Sequence, residues 1–341
     1  MTKRAKEQVD PSAPLDEAGI LEGLRRSGYP FEVELLRAFD QNGLDPVNGF
    51  RLRVAEGEGR PMRSGNDPDA ASSVTREVDV MVNVHVSKSV KVTRADGSPD
   101  ARNTISARLM GAVEAKSLPS SAAFVGFTFK QPTTFERMGL RCRFAGAPCH
   151  GVLPDYIEAQ DLALKLAGVL EPINKAPHCV QWAVVARGKD GVPHADHPSD
   201  YAAALSNFGR ALHLLAIDHT KFVLRSWMMG ARFDYFEPTL FIKTPTLWLY
   251  DVATGVLTRT PHLTLGQYFE VAGGHQEQRL VDVVSSADVV GFADRYKEVK
   301  ANLEIAIERN GLEILALAAV QGKRWCAAEL QAALQAAGIE Y

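Results

Sequence analysis

Four cysteines in 341 residues are too few and too scattered for a disulfide framework, so a reducing, cytoplasmic setting is expected. No apolar run approaches the roughly 20 residues that cross a bilayer, and no membrane partner is expected. Nothing apolar follows the polar opening Met1-Thr2-Lys3-Arg4-Ala5-Lys6-Glu7, which excludes a secretory signal there. A basic excess is also missing. Lys and Arg number 38 against 41 Asp and Glu, for a net charge of −3, whereas non-specific binders of polyanions carry a strong positive surplus. Any such contact has to come from a local patch, because screening confines charge effects to about 10 Å. Lys88, Lys91 and Arg94, and Arg137, Arg141 and Arg143, are the candidates; a solvated surface explains each equally well. No G-x-x-x-x-G-K-[ST] loop, G-x-S-x-G elbow or internal repeat occurs. That excludes an ATP motor of the first type and a serine hydrolase of the second.

What is present is an ordinary globular composition, 46% hydrophobic and 23% charged, long enough for one large domain or two. From Arg76 to Val86 the pattern has a period of two. Val78, Val80, Val82, Val84 and Val86 share one face, and Glu77, Asp79, Met81, Asn83 and His85 the other. This predicts a half-buried strand with Asp79 opposite the valine face. Leu109 to Lys116 reads as a second strand, with Glu114 and Lys116 projecting side by side, about 6–7 Å apart. Between them Ala95-Asp96-Gly97-Ser98-Pro99 is a turn signal, so the two strands are expected as the arms of one long hairpin. One register of that hairpin sets Asp79 beside Glu114.

Those residue types suit a hard divalent cation. Mg²⁺ takes one or two carboxylates, waters and substrate phosphate oxygens. Asp79 and Glu114 supply the carboxylates, and the carbonyl of Ala115 could add an oxygen. Lys116, a compact cation on a flexible stem, could position the attacking water or neutralise a phosphate oxygen. An isolated E-x-K is more often a solvated strand face with an ion pair, and a surface ion pair explains Glu77 as well as any role beside Asp79 does.

Upstream, Gly28-Tyr29-Pro30-Phe31-Glu32-Val33-Glu34-Leu35-Leu36 opens an amphipathic helix running to about Asp40. Gly43 is its expected left-handed cap, and Phe50-Arg51-Leu52-Arg53-Val54 follows as a strand. With Arg76-Glu77-Val78-Asp79-Val80 and Val113-Glu114-Ala115-Lys116, this order resembles the PD-(D/E)XK nuclease superfamily, the restriction-endonuclease-like fold, and its Mrr-like branch in particular. The likeness covers roughly residues 25–130, and Ala123 to Lys130 fits loosely. It departs from the pattern in the long interval between Asp79 and Glu114 and in having Val78 rather than Pro before Asp79. The resemblance implies an α/β fold with a mixed central sheet flanked by helices. It also implies that Glu32, the helix acid, holds the metal together with Asp79 and Glu114, and that Lys116 is the catalytic lysine. Mg²⁺ is the implied cofactor, with Mn²⁺ able to substitute. The implied activity is DNA hydrolysis in a bacterial restriction or defence setting, as a homodimer or with a partner defence protein. The runner-up is an inactive nuclease fold used for binding or assembly, followed by an RNA-directed nuclease.

Residues 1–20 are expected as a flexible tail, 21–190 as the nuclease-like core, and 191–341 as a C-terminal α/β region packed on it, either as an extension or as part of the same domain. Pro154 to Leu170 reads as a helix, with Asp155 and Glu158 as a capping box. Cys179 to Ala186 reads as the fourth strand of the core. Lys189 to Asp200 reads as a loop and Tyr201 to Asp218 as a helix. Strands are expected at Leu240–Lys243, Thr246–Asp251 and Arg279–Val284, with a turn at Ala253-Thr254-Gly255. Helices are expected over Ala287–Arg309 and Cys326–Ala337. Cys142, Cys149-His150 and His178-Cys179 contain potential zinc ligands but lack C-x2-C knuckles, so buried free thiols are the expectation. His194 and His197 read as surface residues.

Overall fold

The computed structural model describes residues 17–26, 29–55, 73–90, 104–129, 169, 171–199, 201–203, 205, 231–270 and 276–322. Helix α1 spans Glu17–Arg26, starting within the segment expected as tail, and α2 spans Tyr29–Gln41. Strands β1 (Asp45–Ala55), β2 (Ser73–Ser89), β3 (Thr104–Ser117) and β4 (Ala123–Thr128) follow. A single helical turn at Glu171–Asn174 precedes β5 (His178–Cys179), β6 (Gln181–Arg187) and β7 (Pro193–Asp196). Then come β8 (Ala231–Lys243), β9 (Leu247–Asp251), β10 (Val256–Thr260), β11 (His262–Glu270) and β12 (Gln276–Ser285). The long helix α3 runs over Val289–Gly322. The chain is therefore mixed α/β, with a seven-stranded sheet ordered β1-β2-β3-β8-β12-β11-β5 and a five-stranded sheet ordered β10-β9-β4-β6-β7.

The valine alternation produces β2 for the expected reason. Val80, Val82, Val84 and Val86 pack with Ile105, Leu109 and Val113 of β3 against Phe31, Leu35 and Phe39 of α2 and Phe292, Tyr296 and Leu303 of α3. In α2 the apolar positions recur every four residues, so one helical stripe meets the sheet. Gly43 ends that helix at φ +72°, a left-handed conformation that costs glycine no Cβ clash. Its amide donates to the carbonyl of Asp40 at 2.9 Å. The long hairpin is present too. β2 and β3 pair antiparallel from Val80↔Val113 to Ser89↔Thr104.

The other face of the sheet departs from the half-buried expectation. Met81, Met110 and Ala112 are buried there with Leu240, Ile242, Val281 and Val283, under Phe124, Trp182 and Leu247 of the five-stranded sheet. Val78 joins this second cluster rather than the one holding Val80, so the alternation breaks at Asp79. Only towards the hairpin tip does the face become exposed, as at His85 and Ser87.

Residues 179–186 do not form the strand beside β3. They are β5 and β6, and β6 pairs with β4 in the five-stranded sheet. The neighbour of β3 is β8, parallel to it from Ile105↔Ala231 to Ser117↔Lys243, and β12 is in turn parallel to β8. Strand β7 lies within the expected loop, because Gly191 at φ +81° lets the amide of Gly188 reach the carbonyl of Val192 at 2.8 Å. The strands at β9 and β12, the turn before Gly255 and the start of α3 match expectation, while β8 begins at Ala231, ahead of the expected Leu240, and α3 runs on to Gly322. The turn at 95–99, the helices at 154–170 and 326–337, and most of the helix from Tyr201 lie outside the described residues. No described helix is long and apolar enough to cross a membrane.

Gly111 is the tight point under α3, since a Cβ there would run into the Tyr296 hydroxyl. Gly111→Ala is expected to lose about 1–3 kcal/mol in urea unfolding through overpacking. Adding Tyr296→Phe, which deletes the obstructing oxygen, should recover most of that loss. A Gly111→Ala protein as stable as wild type would contradict the close fit.

Candidate active site

The four residues singled out by their chemistry converge at one end of β3. Glu114 and Lys116 lie on the same face of that strand, near the C-terminal ends of the parallel strands β3 and β8. In open α/β sheets this is where ligands tend to bind. Asp79 lies just beyond the last β2–β3 register pair, Val80↔Val113. Its side chain continues the connection instead, with Oδ2 accepting the backbone N–H of Ala115 at 2.8 Å. That bond places the Asp79 carboxylate beside Glu114 and occupies the Ala115 amide. The N–H and C=O of one extended residue point to the same side, so the Ala115 carbonyl is directed towards Asp79, away from β8.

Glu114 is the deepest of the set, only 8% exposed, whereas Asp79, Lys116 and Glu32 are half-buried. The Lys116 ammonium donates to Glu114 Oε2 at 3.2 Å. Even so, the Glu114 carboxyl is pushed up to about 7. Burial is the main cause, followed by the Asp79 charge; Lys116 opposes the rise through its charge and its hydrogen bond, and Glu32 adds to it. The like charge of Glu32 adds to the rise last among the causes, as expected of an acid in the first turn of α2 near the strand end. The helix arrives from the sheet face opposite Glu114, so it reaches round the strand end. An acid in the first turn also suits the positive end of the helix dipole.

No protein-family model, curated protein or solved structure matches the chain. What the residues can do therefore follows from their own arrangement.

Carboxylates crowded around a buried acid, with a backbone carbonyl alongside, make an all-oxygen, anion-rich donor set that suits a hard divalent cation. Among the described residues no three His, Cys, Asp or Glu side chains are arranged to hold one ion. Mg²⁺ needs only one or two protein carboxylates, the rest of its shell being water and substrate; Asp79 and Glu114 would be that pair. The zinc alternative gains nothing: Cys179 is a buried free thiol, pushed up to about 12 by burial, far from the thiolate that zinc requires. Cys142, Cys149 and His150 lie outside the described residues, as do Lys91, Arg94, Arg137, Arg141 and Arg143. Lys88 holds Glu308 of α3 at 2.9 Å, on the helix side of the hairpin and not on the face of Asp79 and Glu114. For Glu77 only the backbone is described, paired with Arg51.

Two supports of the site were not legible in the sequence. The buried Tyr201 hydroxyl donates to the carbonyl of Ser117 at 2.9 Å, fixing the chain just past Lys116. Its ring lies near the stacked pair Phe124 and Trp182. Lys243, the last residue of β8, pairs in register with Ser117 and reaches α2. Both contacts join segments far apart in the chain, and neither belongs to a short motif.

The raised Glu114 carboxyl has a signed consequence. Its folded value of about 7 exceeds the ordinary 4.5, so the folded state holds this proton more tightly than the unfolded one. The contribution to stability is therefore fully present below about pH 4.5 and is lost as pH rises through about 7. The full loss is on the order of 3 kcal/mol. Glu114→Gln should remove it. In metal-free buffer at pH 8 the variant is expected to melt above wild type, with the advantage fading below pH 5. A constant difference between the two melting curves from pH 5 to 8 would contradict the burial and crowding of Glu114.

Proposed function

We propose that the protein is a divalent-metal-dependent nuclease, built on a restriction-endonuclease-like core, that hydrolyses phosphodiester bonds in DNA. The carrying observation is the convergence of Asp79, Glu114, Lys116 and Glu32 on the end of β3. Residues from a helix and two strands, spread over 85 positions from Glu32 to Lys116, bring their charges to bear on one buried acid, Glu114. A solvated E-x-K face would not bury its acid or crowd it with two further carboxylates. The order helix, strand, Asp strand, E-x-K strand and the long hairpin support the same reading, as does the parallel β8 that flanks β3.

In this reading Asp79 and Glu114 hold Mg²⁺, or Mn²⁺ in its place, with the Ala115 carbonyl as a further oxygen. The bound ion would acidify a water and balance charge building on the phosphate. The chain's own groups set the geometry. The Ala115 amide orients the Asp79 carboxylate before any ligand arrives, so no reorganisation is needed at the moment of reaction. The Lys116 ammonium, held near Glu114 in the free protein, is close enough to turn to a phosphate oxygen or the attacking water. Glu32 would add a third negative charge from the helix side, helping to draw a divalent cation to the strand end. A role in bacterial restriction or defence, in the cytoplasm, rests on the resemblance of the motif order alone.

Plasmid DNA incubated with Mg²⁺ or Mn²⁺ should be cleaved by wild type. Asp79→Ala and Lys116→Ala should each lose on the order of a hundredfold or more in rate. Equal activity in all three proteins would sink the assignment. Mn²⁺ binding that vanishes in Asp79→Ala, in a protein that cuts neither DNA nor RNA, would point to a metal-holding assembly module instead. Cleavage confined to RNA would keep the site and change the substrate.

A further inference from the structure

Glu32 and the rest of the site approach from opposite faces of the sheet. Asp79, Glu114 and Lys116 belong to the face covered by the five-stranded sheet, whereas α2 packs on the other face through Phe31, Leu35 and Phe39. Glu32 can take part only if the first turn of α2 sits squarely over the strand ends. A displacement of about 1 Å in such a group is enough to cost a large rate factor, so something has to hold that turn in place.

Lys243 does this. It ends β8 next to Ser117, one residue beyond Lys116. It shares the sheet face of Phe241, the face on which α2 packs. Its ammonium donates to both Glu34 oxygens, at 2.9 and 3.1 Å. It also lies 5.4 Å from the centre of the buried Phe31 ring, within the range of a cation–π contact. Phe31 and Glu34 bracket Glu32 in the first turn and a half of the helix. One side chain at the end of the strand adjoining β3 thus grips α2 on both sides of Glu32. The ion pair is half-exposed, and such pairs add little to global stability. Its value lies in where it fixes the turn.

We infer that Lys243 is a positioning residue for Glu32, acting on the site through α2 and not by touching the substrate. The inference rests on the nuclease reading for its activity readout but has a structural readout of its own. Lys243→Met and Lys243→Arg would be compared with wild type, each alone and with Glu32→Gln. Metal-dependent DNA cleavage would be measured under single-turnover conditions, with hydrogen exchange of the amides of Val33 to Leu36, which bond to the carbonyls of the first turn, followed in the free protein. Lys243→Met should cleave about tenfold more slowly at saturating DNA, with the half-saturating DNA concentration within about twofold of wild type. Lys243→Arg should recover most of that rate. Beside Glu32→Gln, the Lys243→Met change should cost less than about twofold, the non-additivity expected of a residue that works through another. Exchange at these four amides should quicken several-fold in Lys243→Met and return with Arg. Unchanged exchange would overturn the inference. So would an equal fold-loss with and without Glu32, which would mean that Lys243 acts directly. If wild type cleaves no nucleic acid, the nuclease reading falls, and the exchange result alone decides whether Lys243 places the turn.

Discussion

The site depends on one bond, from the backbone N–H of Ala115 to the carboxylate of Asp79. It stands where the β2–β3 ladder stops, and it replaces a backbone partner with a side chain. Two things follow from that exchange. β2 is released to break its alternation, so Val78 turns to the second core. A negative charge is then delivered to the strand end beside Glu114. A buried amide must find an acceptor, and a carboxylate is the strongest that a side chain can offer. The structural requirement and the placement of the charge are met by the same oxygen.

That solution creates an electrostatic problem which the rest of the fold leaves open. Glu114 lies between two apolar cores with Asp79 and Glu32 near it and a single described ammonium, Lys116, as its bonded counter-charge. Burial and like charge both favour the protonated acid. A fold selected only for stability would replace Glu114 with an uncharged residue, since buried charge is poor evidence of stability. Retaining an acid at an energetic loss is what a binding site for a cation requires, and strained or crowded groups concentrate at functional positions.

Much of the near neighbourhood could be read from the chain because it is local. Strict alternation in β2, the four-residue apolar spacing of α2, and Gly43 as a cap each need only a few consecutive residues to act. The arms of the long hairpin brought Asp79 and Glu114 together in the expected way, although 34 residues separate them in the chain. The neighbour of β3 could not be read. A buried apolar strand such as Gln181–Arg187 looks the same whether it completes the main sheet or a second one. Its pairing with β4 is decided by the packing of Phe124 on Trp182, a contact with no local signature. The covering of the Met81 face was hidden for the same reason, because methionine and alanine on an alternating strand do not announce a second layer. Lys243 escaped notice because a lysine at a strand end is ordinary until the helix it grips is known.

The net charge of −3 weighs against long-range attraction of a polyanion, and it does not decide what happens at close range. Net charge governs long-range attraction, which screening cuts off within about 10 Å. Chemistry at the phosphate depends on the few groups inside that distance. Among the described residues the groups around Glu114 are acidic, apart from Lys116, whose ammonium is engaged with Glu114 itself. Lys243, on the far side of the strand ends, is engaged with Glu34. Those described groups alone would repel a phosphate. A divalent ion between Asp79 and Glu114 would reverse the local sign and relieve the crowding that raises the Glu114 carboxyl, and it would leave Lys116 less tightly drawn to its acid. Metal binding and phosphate binding at such a site would favour each other by the same factor. An ion that came first, or arrived with the substrate, would offset the repulsion between the anion and the carboxylates that would hold the metal.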